Sequence, residues 1–293
     1  MNKLGRFLLG LSLMAACAWV APAQETSPST SSIPKILQIT REYTKPGKSG
    51  AIHDKTESAF VQAMTRAKWP THYLGMTSMS GKSRALFFTE YASYDAWEKD
   101  NLAVMHNPTL SSELDRAGMA DGELLDEIDQ GVFVYDEDLS LHAMADISHM
   151  RYMEISSYHV RPGHTDEWEE LVKMVKAAYE KGVPGAHWGM FRQAYGGDGG
   201  TYIVLTARKS LAELDRGPDE EKAFAAAMGE DGLKKLDALV ATSIETSQHQ
   251  LFAFNPHMSY VADDWIKSDP DFWKVKTAAP AAKKAAETEK AKP

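Results

Sequence analysis

Tyr43-Thr44-Lys45-Pro46-Gly47-Lys48 is written a second time, 116 residues on (Pro46 to Pro162), as His159-Val160-Arg161-Pro162-Gly163-His164. In both places a segment runs into a basic residue, then Pro-Gly, then an amphipathic helix. Proline fixes φ and glycine permits φ > 0, so the pair ends a strand and does not continue it. Pro70 with Gly75-Met76 is matched by Pro184 with Gly189-Met190, and Asp121-Gly122 by Asp231-Gly232. The chain reads as one unit duplicated.

With 293 residues, the length suits two domains of roughly 100–200 residues each. Lys3 and Arg6 precede an apolar run, Phe7 to Val20, and Ala21-Pro22-Ala23 supplies a small-x-small cleavage site. That is the pattern of a secretory leader, which predicts a periplasmic or secreted protein. The run is too short for the ~20 apolar residues of a spanning helix, so no transmembrane span is expected. Lipidation at Cys17, the single cysteine, is the less favoured alternative. Cleavage after Ala23 leaves no thiol, so burial alone must hold the fold. It also takes the formal charge from −9 to −11 by removing Lys3 and Arg6. Such an acidic chain argues against nucleic acid as a partner.

The predicted organisation is leader 1–23, Ser/Thr/Pro-rich spacer 24–34, first repeat 35–135, linker 136–150, second repeat 151–255, and a C-terminal extension 256–293 ending in an Ala/Lys tail. In the first repeat, a strand over Ile36 to Tyr43 precedes a helix to about Lys68, with an apolar stripe at Ile52, Ala59, Phe60, Ala63, Met64 and Ala67 interrupted by Thr56. Two hairpin strands, His72 to Ser78 and Arg84 to Tyr91, follow. Ser93 caps a second helix that breaks at Asn107-Pro108 and resumes through Leu114, and Val132 to Tyr135 is the last strand. The second repeat has the same order, with Ser210 and Glu213 as a capping box.

A β-α-β-β-α-β unit is ferredoxin-like: four antiparallel strands with both helices on one face. Two tandem units predict an α+β chain whose bare sheet faces pack together as a pseudo-dimeric α/β barrel, hence a monomer or weak homo-oligomer. The segment Arg41 to Lys48 resembles the opening of dimeric α/β-barrel proteins, in particular NIPSNAP-type and antibiotic-biosynthesis-monooxygenase-type domains, as does Tyr158 to Gly163. The resemblance implies a pocket between the sheet and its covering helices. It carries over no catalytic set, since related families include cofactor-independent monooxygenases, haem-degrading enzymes and proteins without an established reaction.

Candidate site residues come from strands. His187, beside Trp188, is an acid, base or ligand candidate near neutral pH. Tyr152, Glu154, Ser156 and Tyr158 share one face, matched by Ile36, Gln38, Thr40 and Glu42, and a polar stripe facing the barrel interior would line a small-ligand pocket. Glu154 and Tyr158 join His187 as catalytic candidates, and Trp188, Tyr152, Ser156, His72 and Tyr73 as ligand-binding ones. No His-x-His, His-Glu-x-x-His or calcium-loop spacing occurs, so neither metal nor cofactor is expected. The function expected is binding of a small apolar or aromatic ligand. The alternatives are a cofactor-independent monooxygenase-like enzyme and a structural module without a ligand.

Overall fold

The computed structural model describes residues 33–275. The leader, its cleavage site, Cys17 and the Ala/Lys tail lie outside the described residues. Chain order is β1 (Ile36–Thr44), α1 (Ala51–Ala67), β2 (Tyr73–Ser78), β3 (Arg84–Tyr91), α2 (Tyr94–Met105), α3 (Pro108–Gly122) and β4 (Leu125–Leu141). It continues with β5 (Tyr152–Val160), α4 (Thr165–Gly182), β6 (Trp188–Tyr195), β7 (Thr201–Arg208), a 3-10 turn (Leu211–Arg216), α5 (Gly217–Ser243) and β8 (Ile244–Phe254). Two short helices, α6 (Asp263–Ser268) and α7 (Pro270–Trp273), end the described chain.

All eight strands close into one antiparallel barrel in the order β1-β3-β2-β8-β5-β7-β6-β4. The first half runs β4-β1-β3-β2 and the second β8-β5-β7-β6, the same order in each. The halves meet at β4–β6 and β2–β8. Closure pairs every strand on both sides and removes the exposed edge of an open sheet.

The barrel interior is a packed core. Leu37 and Ile39 of β1, Met76 of β2, Phe133 of β4, Met153 and Ile155 of β5 and Phe252 of β8 are buried in one cluster. The polar stripes of β1 and β5 therefore do not line the barrel interior. The even-numbered residues of β1 and β5 lie on the opposite face from these inward side chains, beneath the helices. A strand has a side-chain period of two, so a single step in register decides between lining a barrel and lying under a helix. At one end Trp273 completes the interior cluster, its indole Nε1 donating to the Ser148 carbonyl at 2.7 Å and its ring packed on Trp265 and Phe272.

Several boundaries differ from those expected. β4 runs from Leu125 to Leu141, far beyond Val132–Tyr135 and into the expected linker. Its first part pairs with β1 and its later part with β6. The residues before Val132 are mostly acidic or exposed and carry no apolar alternation, yet backbone pairing does not require one; after Tyr135 the strand passes through an acidic stretch and ends on the buried Leu139, Ser140 and Leu141. α3 continues to Gly122, beyond Leu114. Ser93 caps α2 by accepting from the Ala96 N–H at 3.1 Å, whereas Ser210 makes no side-chain cap. In α1 the buried residues are His53, Glu57 and Ala63, while Ile52 is 44% exposed and Ala59 is also outside.

The segment 255–260 crosses the outer side of β2 as a strap. Tyr73 and Tyr260 exchange backbone hydrogen bonds at 2.9 and 3.0 Å, and the Gly75 N–H donates to the Ser259 hydroxyl at 2.9 Å. Met258 is fully buried against Gly75, where an added Cβ would lie 2.5 Å from the Met258 carbonyl oxygen. Asn255 donates to Asp54 at 2.8 Å and the Tyr260 hydroxyl to the Trp69 carbonyl at 2.7 Å, which ties the strap to α1.

Candidate functional site

Four polar side chains converge between β1 and its covering helices. Glu42 comes from the helix-facing side of β1, His53 and Glu57 from α1, and Asp121 from the last turn of α3. The i, i+4 spacing of His53 and Glu57 places both on one face of the helix. Their exposures are 1% for His53, 2% for Asp121, 3% for Glu57 and 7% for Glu42. His53 Nε2 is 3.2 Å from Glu42 Oε2, 3.2 Å from Asp121 Oδ1 and 3.9 Å from Glu57 Oε1. One N–H faces three carboxylates, and Glu57 Oε1 has no hydrogen-bond partner. Thr56 donates to Asp121 Oδ1 at 2.6 Å, which accounts for the polar interruption of the α1 stripe. The buried Tyr73 hydroxyl also has no partner. Burial pushes its pKa up, and the neighbouring Glu57 and Glu42 charges push it further.

The electrostatics follow from burying more negative than positive charge. Loss of water raises Glu42, although its hydrogen bond to His53 opposes this. Burial, then the charges of Glu42 and Asp121, push Glu57 up to about 10. Burial alone would depress His53, but its hydrogen bonds to Asp121 and Glu42 outweigh that and raise it to about 10. At neutral pH the cluster therefore retains a proton on Glu57 as well as on His53 unless another cation replaces them.

The second half carries a different set of residues at the same positions. His53, Thr56, Glu57 and Ala63 correspond, 115 residues on, to Trp168, Leu171, Val172 and Ala178, all buried. In the place of Glu42, Tyr158 packs on Trp168 with ring centroids 5.2 Å apart. α5 adds Leu236 and Leu239 to this apolar cluster. The place filled by ionisable groups in one half is thus filled mainly by apolar and aromatic side chains in the other, where the buried Trp168 Nε1 has no hydrogen-bond partner.

The residues singled out from sequence fall elsewhere. Glu154 pairs with Arg208 at 3.0 Å. Both ring nitrogens of His187 lie 3.0 Å from backbone carbonyls, those of Gly185 and Ala207. Tyr158 belongs to the apolar cluster. Glu154 and Tyr158 share one face of β5, but among the described residues no hydrogen bond or ion pair joins His187 to either. Trp188 donates to the Leu139 carbonyl at 2.9 Å, and Ser156 lies 2.8 Å from His249 Nδ1. Tyr152 is half-buried on the helix-facing side of β5. His72 stacks on Tyr260 at 4.8 Å. Of the expected set, Tyr73 alone borders the buried cluster. The cluster itself escaped motif reading because its members come from three elements with no fixed spacing. The one available signal was a pair of ionisable residues, His53 and Glu57, at helical spacing directly after the repeated Pro-Gly.

Glu42, His53, Glu57 and Asp121 each offer one metal-ligand-type atom, and these four atoms lie within 4.8 Å of one another. Chemically the set can share protons or hold a cation.

The sequence matches no protein-family profile and no curated protein. Solved structures with a similar course of chain exist. One is a Fusobacterium nucleatum protein provisionally assigned as a monooxygenase, with 11% identity and a TM-score of 0.49, covering 75% of this chain and 91% of that one. Another, from Lactobacillus acidophilus, carries the same provisional assignment, with 7% identity and a TM-score of 0.45, covering 76% and 94%. A variant chlorite dismutase from Candidatus Nitrospira defluvii has 8% identity and a TM-score of 0.45, covering 81% and 96%. These likenesses assign no role to any residue of this chain.

Proposed function

We propose that the protein is an exported small-molecule enzyme made of two ferredoxin-like copies, with its reactive centre at Glu42, His53, Glu57 and Asp121. The second copy serves mainly to close the barrel. One observation carries this reading: Trp168, Leu171 and Val172 show that the fold is satisfied by apolar side chains at the positions where the first half buries ionisable ones. Burying charge without full compensation costs several kcal/mol per ion, and replacing such groups by well-packed apolar residues is often stabilising by about 1–4 kcal/mol. A cluster that costs stability and is not demanded by the fold is the signature of a functional site. The chemistry available is proton transfer to or from a bound organic molecule, in keeping with the oxygenase-like alternative drawn from sequence. Tyr73 supplies a further hydroxyl at the border of the centre.

The test is Glu57→Val, a swap of nearly equal volume that copies Val172. In chelator-treated protein near pH 8 it should raise unfolding stability by about 1–3 kcal/mol, and Glu42→Gln should abolish turnover in a screen of oxidisable phenols and quinols. A Glu57→Val protein less stable than the parent would make the cluster a structural network and end the proposal.

A further inference from the structure

We infer that the cluster is a binding site for one divalent first-row transition-metal ion, held by the carboxylates of Glu42, Glu57 and Asp121 and by the imidazole of His53. This rests on the reading of the cluster as the reactive centre and deepens it. Three features point to a cation. The first is convergence: four ligand-type atoms from β1, α1 and α3 lie within 4.8 Å of one another in a region shielded from solvent. The second is the state of Glu57, whose side chain is 4% exposed and whose Oε1 faces His53 Nε2 at 3.9 Å with no hydrogen-bond partner. A buried carboxylate oxygen without a donor is costly, and a metal ion supplies the missing partner. The third is charge. With neutral imidazole and ionised carboxylates the set carries three negative charges, so a dication leaves a single net charge.

The donor set also selects the ion. Three carboxylates and one imidazole suit Mn2+ or Fe2+, with Co2+ and Zn2+ as competitors. A site with one ligand atom from each of four side chains is poorly matched to Ca2+, which takes 6–8 oxygens, and Mg2+ sheds its water reluctantly. The apolar counterpart in the second half, Trp168 with Val172, provides no ligand atom, which predicts one ion per chain and not two.

The experiment uses the full mature protein, first analysed for metal content by mass spectrometry as purified and after chelation, then titrated with Mn2+, Co2+, Zn2+, Mg2+ and Ca2+, and with Fe2+ under anaerobic conditions. We expect about one transition-metal ion per chain and a rise in melting temperature of about 5–10 °C at a hundredfold excess over the dissociation constant. Mg2+ and Ca2+ should give at most a small rise. Glu57→Gln and Asp121→Asn should each lose the rise, whereas Glu154→Gln, remote from the cluster, should keep it. Should Asp121→Asn fail to fold, Glu57→Gln and the cobalt absorption spectrum of the parent still decide the matter. No bound metal and no shift with any transition ion would overturn the inference, as would a shift that survives both cluster substitutions. A protein that binds no metal yet is stabilised by Glu57→Val would sink the metal site and leave the reactive-centre reading standing. Metal binding accompanied by destabilisation in Glu57→Val would do the reverse, leaving a structural metal.

Discussion

His53 is the single basic group among three acids, and that imbalance sets how the cluster responds to substitution and to pH. Removing His53 leaves Glu42 and Asp121 buried without a counter-charge, so His53→Ala should destabilise by about 3–5 kcal/mol, read from urea midpoints. Glu57→Val acts in the opposite direction because it removes surplus acid. The pH dependence follows from protons retained on folding. In the unfolded chain Glu57 titrates near 4.5 and His53 near 6.5, whereas in the folded chain both are raised to about 10. Between those limits the folded state binds more protons, so stability falls as pH rises, by about 1 kcal/mol per pH unit for each retained proton. Glu57's contribution is free of penalty below pH 4.5. His53's is fully present below 6.5 and lost as pH passes through 10. Urea midpoints of chelated protein from pH 5 to 9 should therefore fall more steeply in the parent than in Glu57→Val. Equal slopes would show that Glu57 does not hold its proton in the folded state.

At the scale of elements, the site is assembled by β1, α1 and α3 and flanked by the strap at 255–260. α1 brings His53 and Glu57 together through its own repeat, and α3 reaches Asp121 only because it runs a full two turns beyond Leu114. The strap seals the β2 side by seating Met258 on Gly75. Gly75→Ala places a methyl group 2.5 Å from the Met258 carbonyl oxygen, which backbone must move to relieve. We expect a loss of about 1–3 kcal/mol, typical of overpacking. Hydrogen exchange should quicken in residues 255–260. Unchanged exchange there would show that the strap is not held at Gly75.

Across the whole molecule, the barrel is sealed by pairing the halves and by aromatic residues that follow the second one. Trp273 is 4% exposed and shares the interior core. Trp273→Ala should cost about 3–5 kcal/mol through the cavity it leaves, measured by denaturant unfolding. The eight strands leave no unpaired sheet edge to recruit a second copy, so light scattering should give the mass of one chain. A stable dimer would mean that some other surface, not the sheet, drives association.

The turns that end the first strand of each half were legible because Pro-Gly is a local device: Pro46-Gly47 and Pro162-Gly163 act through their own φ preferences wherever they occur. The strand and helix order followed from periodicity for the same reason. The candidate site was not legible. Ionisable residues are mostly outward-facing, so an apolar stripe through Ile52 and Ala59 is the natural core of α1, yet packing buries His53 and Glu57 and leaves Ile52 and Ala59 outside. Alternation groups Glu42 with Gln38 and Thr40 on one strand face but does not say which layer covers that face, which is why the side of the sheet was decided only by the helices packed over it. Asp121 lies 68 residues from His53, and no local rule relates them. The order of elements was determined within short windows of the chain; which polar groups meet, and that their charges must be met by protons or a cation, was decided only when three distant elements closed over one another and excluded water.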